Sequence, residues 1–525
     1  MKIILADTLV TAHGWTNDLD KLGEYTLKTR KTPEEMKAER ANRKERFGNK
    51  AFKVNPLKYE RLSVIKKDPT DNSIAYFLPG IWPKIERHLE KNEIAYELYD
   101  KRNADIRPDP DYSVLAGEEL REQQDTALAL VANLDCGIIE TTTGWGKSFL
   151  IALICKMYPT LNIVVTTSSA SVVGTLYEYL NKQMPTEVGY LYGKGNTSHG
   201  KRVVVTTLKS LPNIDPEKVH LLLCDECHNV GANVAGAEIA KFCFARRFGF
   251  TASPVRNDGS RIVMEALFGP VILKMTYQES VDAGMVVPMK YHIIPCPNGP
   301  NVCNKPGTPE DILKRFGYWC NKSRNTLIQQ IVYDLKEIMQ GQILIMVASL
   351  EHAIQLHMLL PWFKVAHYGA TDLDTMGAKF SKERYPNLDM KQYKMTQKQL
   401  DIMRGAFSKG TLRYIIATTV FRQGVNFPKL EVLIRADGTV SSVDGIQIPG
   451  RLSRLDEGKD CAYLIDMGDE FSQWSHRRAL AREETYKQQE WQKITREELI
   501  NGIRTKPTGG TDKPVRGIRA PKLSV

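Results

Sequence analysis

The sequence predicts an α/β protein: two tandem domains with parallel sheets, preceded by a small α+β unit. Three observations carry this expectation. From Leu115 onward, short apolar strands alternate with helical stretches, and a second such series begins near Gly284. TTTGWGKS, Thr141 to Ser148, falls between an apolar strand and a helix. LLLCDECHN, Leu221 to Asn229, reads as a buried strand ending in two carboxylates, at the edge where open parallel sheets bind ligands.

Length and composition set the frame. A chain of 525 residues holds several domains. The expected division is 1–115, a small basic accessory domain; 116–285 and 286–470, the two α/β domains; and 471–525, a charged helix with a Pro-, Gly- and Lys/Arg-rich tail of disordered composition. With 42% apolar and 25% charged residues, sizeable cores can form. A net charge of +11 favours a polyanionic partner. No apolar run is long enough to span a bilayer, and the opening MKIILADTLV is interrupted at Asp7, so neither a membrane segment nor a signal peptide is expected. Nine scattered cysteines suit a reducing cytoplasm. Cys224 and Cys227 have CxxC spacing but no second pair, so zinc is not expected.

The elements follow in order. In the leading unit, Met1–Val10, Leu62–Ile65 and Ile74–Leu78 read as strands, Pro33–Arg46 and Pro83–Asn92 as helices. Its basic residues Lys28, Arg30, Lys31, Arg40, Arg43, Lys44 and Arg46 form either a nucleic-acid surface or a solvated face. Arg107–Asp111, with two prolines, reads as a linker. Gly117–Asn133 is amphipathic, with LREQQ in its first turns. Strands are expected at Cys136–Glu140, Asn162–Thr166, Arg202–Thr206, Leu221–Cys224 and Phe248–Phe250, and a helix at Phe149–Tyr158. The second series has a helix at Leu327–Met339 and strands at Gln342–Val347, Arg413–Ala417, Val432–Arg435 and Cys461–Asp466. Thr371–Tyr393 reads as a polar surface insertion, and Phe471–Leu499 as one long charged helix.

The chemistry points to ATP and Mg²⁺. Gly144 and Gly146 let a loop curl its N–H groups around phosphate, Lys147 reaches the outer phosphates, and the Ser148 hydroxyl suits the metal. A strict GxxxxGK[ST] pattern would have glycine where Thr141 stands. Trp145, unusual in such a loop, either covers the phosphates or packs outward. Asp225 suits Mg²⁺, and Glu226 suits a water.

Together these segments resemble a superfamily 2 helicase of the DExH-box type, over about two-thirds of the chain, Leu120 to Arg454. LREQQ resembles the family's adenine-reading Q motif, with Arg121 and Gln124 at its positions; TTTGWGKS, including Thr143, Gly144, Trp145 and Gly146, matches motif I. VVTTS (Thr166, Thr167), TTLKSL (Thr207), ILIMVAS (Ser349) and ATTVFRQGVNFP (Thr418) match strips that the resemblance implies contact nucleic acid. DECH is the motif II form, and TAS (Thr251, Ser253) is motif III; His228, Thr251 and Ser253 are implied to couple the sites, although His228 alone reads equally as a local hydrogen-bonding residue. Gly424 and Asn426 in motif V are implied at the nucleotide; Gln423 and Asn426 depart from the acidic residues frequent there. QIPGRLSR matches motif VI, which implies Gln447 and the arginine fingers Arg451 and Arg454. The layout is most similar to phage recombination helicases of the UvsW type, with two RecA-like domains. The resemblance implies an ATP-dependent motor on DNA, branched or forked duplex and single strand, in recombination, repair or replication. RNA as substrate, or duplex translocation without strand separation, stays open.

Overall fold

The computed structural model describes residues 1–31, 34–36, 38–39, 57–102, 107–193, 195–230, 234–252, 261–367, 388–421, 427–440, 449–450, 452–456 and 458–504. Two mainly parallel sheets dominate it, and a smaller mixed sheet precedes them.

The leading sheet has five strands in the order 66–67, 74–77, 10–13, 2–5, 97–100. The opening run forms two antiparallel strands, Lys2–Leu5 and Val10–His13, rather than one, because the polar Asp7-Thr8 step turns the chain. Glu24–Arg30 and Leu57–Ser63 form a separate ribbon, so the expected 62–65 strand begins earlier. Most of the expected 33–46 helix, with Arg40, Arg43, Lys44 and Arg46, lies outside the described residues. This unit is docked firmly on the next: Ile262 and Ala266 of the Arg261–Phe268 helix belong to its hydrophobic core. A Cβ placed on Gly80 would lie 2.5 Å from the carbonyl oxygens of Glu265 and Ala266, so only glycine permits that approach.

The first large sheet runs in the order 195–196, 188–192, 203–207, 163–167, 221–225, 246–251, 136–140, 271–274. All pairings are parallel except that of the short 195–196 strand. The apolar runs Ile163–Thr167 and Leu221–Asp225 are buried throughout because neighbours cover both edges and helices cover both faces. The second sheet is wholly parallel, in the order 364–366, 414–417, 342–346, 430–435, 462–469, 289–296, 492–493.

Two sequence expectations change. The helix expected from Gly117 begins at Gln124, because Gln123 adopts a left-handed φ of 63°. LREQQ therefore lies in the turn before the helix. The run expected as one helix from Phe471 to Leu499 is two, Gln473–Gln488 and Arg496–Arg504, and between them Gln492–Lys493 adds a strand to the second sheet. Of the 371–393 insertion, only its end is described, with a single turn at Met390–Tyr393. Among the described residues no helix is long and apolar enough to cross a membrane.

Candidate nucleotide site and nucleic-acid face

Parallel strands bring the C-terminal ends of 136–140, 246–251 and 221–225 to one edge. The loop after the first of these is held at its start by Thr141 N donating to Thr251 O at 3.0 Å. Gly144 and Gly146 have φ of 101° and 106°, a left-handed backbone that side chains resist. Lys147, opening the 147–157 helix, sends Nζ back to the carbonyls of Thr141 and Thr142, 3.2 Å from each. Ser148 is exposed beside it, and the Thr141 hydroxyl is buried without a hydrogen-bond partner among the described residues. A curled loop opening a helix, a lysine spanning it and an exposed hydroxyl fit a nucleotide's phosphates.

Asp225 ends the buried 221–225 strand and is itself 8% exposed. Burial pushes its carboxyl well above the usual range, Glu226 pushes it further, and Lys147 opposes both. A divalent cation brought to this carboxylate would stabilise its charged form, so the site fits Mg²⁺ held by Asp225 and Ser148. Glu226 turns the chain with a φ of 53° and is half-buried. His228 Nδ1 lies 3.3 Å from Glu226 Oε2 and 2.9 Å from Thr251 Oγ1, which brings the expected coupling residues His228 and Thr251 into one chain of contacts. Asn229 extends that chain toward the neighbouring strand end, its amide donating to Ser168 Oγ at 3.3 Å.

The second domain closes over the loop. Gly450 faces Thr143: a Cβ placed on Gly450 would lie 3.1 Å from Thr143 Oγ1. Arg454 Cγ lies 3.8 Å from a Cβ built on Gly144. Burial lowers the Arg454 guanidinium to about 10, still charged at neutral pH. Residues that the sequence reading missed complete the contact. Ser280, in the connecting segment, accepts a hydrogen bond from the Thr142 hydroxyl at 2.8 Å, and Val286 pairs with Arg454 as an antiparallel bridge. Neither carries a local motif; only their position at the cleft gives them a role. Gln447, Arg451, Gly424, Asn426 and Ser253 lie outside the described residues.

Three expectations are corrected by burial. Gln124 has no exposed surface: its Oε1 accepts from Arg121 N at 2.9 Å and its Nε2 donates to Trp145 O at 3.0 Å. Arg121 also donates to the Gly144 carbonyl. Gln124 braces the phosphate loop from within rather than presenting an open amide to adenine, and Arg121, itself exposed, holds the same loop by its carbonyl. Trp145 neither covers the phosphates nor packs outward. It is fully buried in the core of the first domain, with Nε1 donating to Glu122 O at 3.3 Å. Thr166 and Thr167 are wholly buried in the middle of the sheet, so their hydroxyls do not face a ligand in this arrangement. Thr207 is used to brace a turn through Ser210, 3.1 Å away, and Ser349 caps the 350–359 helix by accepting from His352 N. Thr418 is also buried. The accessible groups lie one to three residues later, at Ser168, Ser169, Lys209 and Ser210. The signal that would have found them is that only residues past a strand's end leave a fully covered parallel sheet.

Comparison with known proteins agrees with this geometry. Residues 116–256 match the family described as type III restriction enzyme, res subunit, and residues 324–456 match the helicase conserved C-terminal domain. Putative helicase 22 of Sulfolobus islandicus filamentous virus is 22% identical over 434 residues, 74% of this chain and 71% of that protein. The DNA 3'-5' translocase XPB2 of Sulfurisphaera tokodaii is 24% identical over 370 residues, 66% of this chain and 81% of that protein. Among solved structures, S. cerevisiae Dbp5 bound to RNA and ADP BeF3 is similar with a TM-score of 0.51 at 14% identity, covering 75% of this chain and 96% of that one. T4 UvsW matches over 94% of this chain and 99% of its own, at 15% identity and a TM-score of 0.37. Fold and site define a two-domain α/β motor of the phosphate-loop class, with tandem RecA-like domains. The chain belongs to the superfamily 2 helicases and is an ATP-dependent nucleic-acid helicase.

Proposed function

We propose that this helicase is a DNA motor that translocates on and remodels branched or forked duplexes. Its setting on this reading is replication, recombination or repair in the cytoplasm of a bacterial or phage-infected cell, as in the UvsW-type layout. The observation that carries the reading is the division of the site: Lys147, Asp225 and Glu226 stand on one sheet edge, and Arg454 reaches the loop from the other domain. Such a site acts only when the domains close, so each turnover can move one domain relative to the other. DNA is favoured over RNA by the likeness to a relative named as a DNA 3'-5' translocase; the net charge of +11 favours a polyanion of either kind.

Lys147 and Ser148 hold phosphate oxygens, and Ser148 and Asp225 hold Mg²⁺. Glu226 orients a water and accepts its proton, with His228 keeping the carboxylate in place. Arg454, together with Arg451 and Gln447, neutralises charge that develops on the outer phosphate. Bound ATP supplies the phosphoryl bond whose cleavage resets the cleft. Ser168, Ser169, Lys209 and Ser210 offer the backbone-gripping surface, which assigns Thr166, Thr167, Thr207, Ser349 and Thr418 to shaping it. The leading residues 1–115 serve as an accessory nucleic-acid module, and 286–470 as the second motor domain.

ATPase and strand-displacement rates across single-stranded DNA, forks, Holliday junctions and RNA duplexes test this. Strongest stimulation by branched DNA is expected. Stimulation by RNA alone would replace DNA as the substrate. Triplex displacement without fork unwinding would leave translocation and remove strand separation.

A further inference from the structure

Away from the nucleotide edge, at the opposite ends of the same strands, the first sheet meets the leading domain around a cavity of about 130 Å³. Its walls include Asp7, Arg102, Arg107, Asp135, Cys243 and Arg247. The charges are unevenly matched. Arg107 donates to Asp135 at 2.6 Å and to Asp7 at 2.8 Å, and Arg102 is shared between Asp100 and Asp135. Arg246, also on the wall, spends its Nη2 on backbone carbonyls, that of Leu134 among them at 2.8 Å. Arg247 has no such partner. It is 2% exposed, and its Nε and Nη1 are buried without a hydrogen bond among the described residues. Burial accordingly lowers its guanidinium from the ordinary value.

Burying guanidinium N–H donors without hydrogen bonds is costly, and native structures rarely leave such donors unspent. The backbone explains how Arg247 is held there. Its N–H donates to Asp135 O at 2.8 Å as the 246–251 strand begins, and alternation along the strand turns it away from Arg246, which lies over Phe248 and Tyr158. Gly80 and the Arg261–Phe268 helix lock the leading domain over the opening. The result is a partly open pocket, formed by two domains, in whose walls stand four arginines and two aspartates. A planar fork with unspent N–H donors beside further cations suits a compact oxyanion, and with Asp100 paired to Arg102 the four arginines still outnumber the aspartates around them.

We propose that this pocket is a binding site for phosphate, held by Arg247 and clamping the leading domain to the first motor domain. The phosphate is either free orthophosphate or the terminal phosphomonoester of a nucleic-acid strand. This site is separate from the nucleotide loop and does not depend on the nucleic acid that the motor moves.

The test uses the full chain carrying Lys147→Ala, which weakens the response of the nucleotide loop. Thermal unfolding is followed with orthophosphate against potassium chloride at matched ionic strength, and with a short oligonucleotide bearing a 5′-phosphate against its 5′-hydroxyl counterpart. A phosphate-dependent rise in Tm of about 2 °C or more is expected. Adding Arg247→Met should remove it. If that variant does not fold, Cys243→Asp answers the same question: a carboxylate placed in the pocket should raise Tm in plain buffer and abolish the phosphate response. A response to orthophosphate alone identifies the free ion, and one confined to the phosphorylated strand identifies a strand end. The proposal is overturned if the parent responds to neither probe, or if the response survives in both pocket variants.

Discussion

Asp225 and Asp466 are both buried carboxylates on strands of parallel sheets, one in each RecA-like domain, yet they are treated in opposite ways. Asp466 accepts from Arg482 at 2.8 Å and from the Tyr486 hydroxyl at 2.6 Å, and Arg482 reaches on to Asp469 at 3.2 Å, where Arg324 also donates at 2.7 Å. All four ionic side chains are no more than 1% exposed. Burial works against the charge on Arg482, but the two aspartates outweigh it and hold its pKa well above the ordinary value. Asp225 has a second carboxylate, Glu226, beside it, and Lys147 opposes burial without overcoming it. In the first network each carboxylate meets an arginine, although Arg482 keeps one unspent donor, Nη1; an under-compensated acid is disposed to bind a cation. The first is a fastener, the second a working site.

That contrast can be broken most sharply at the working site. Glu226→Gln keeps the shape and removes the base, so it should cut turnover on the order of 10²–10⁴-fold while nucleotide binding persists. Hydrolysis close to the wild-type rate would remove Glu226 from the base role. Arg454→Ala tests the contribution from the far domain, and a loss on the order of 10³-fold in nucleic-acid-stimulated ATPase is expected. An unchanged rate would leave the finger role to Arg451.

At the fastener, function and stability should separate. Arg482→Ala leaves Asp466 and Asp469 short of a buried cation and should cost about 3–5 kcal/mol in denaturant unfolding. The ATPase should survive below the new unfolding transition. Catalytic loss without destabilisation would show that the network acts on the chemistry.

The smallest effect concerns pH. His352, buried in the same domain, has its pKa pulled well below 6.5 by burial, with Arg324 adding to the effect and Asp437 opposing it. The unfolded chain takes up a proton below that value and the folded chain does not, so stability is full above about pH 6.5 and falls with acid by about 1.4 kcal/mol per pH unit. Replacing His352 with Gln, which can still donate toward Asn325 Oδ1, should flatten that slope between pH 6.5 and 5. An unaltered slope would assign the acid sensitivity to other groups.

Much of the fold was legible because its signals are local. TTTGWGKS lies within one turn, and the loop's left-handed glycines follow from the residues themselves. LLLCDECHN needs only a covered strand and an open end. Residues that failed did so where neighbours far along the chain decide. Trp145 turns inward and joins the buried core of the first domain, whose members lie far apart in the chain. Thr166 and Thr167 look like surface hydroxyls until strands on both sides cover them. The charged 471–499 run resembles a solvated helix, but Arg482 finds buried aspartates and Trp491 enters the core, stacked on Tyr486. Charge patterning describes a helix's faces, not what meets them.

The sequence by itself determined the two series of strands and helices, the phosphate loop, and the acid pair at a strand end. Each depends on backbone propensity and on residues within a few positions of one another. Tertiary structure alone decided that Arg454 meets Gly144, that Ser280 and Val286 close the cleft, and that Arg247 keeps unspent N–H donors beside the leading domain. Those contacts join segments far apart in the chain. Which charges end up compensated is settled only when the domains pack.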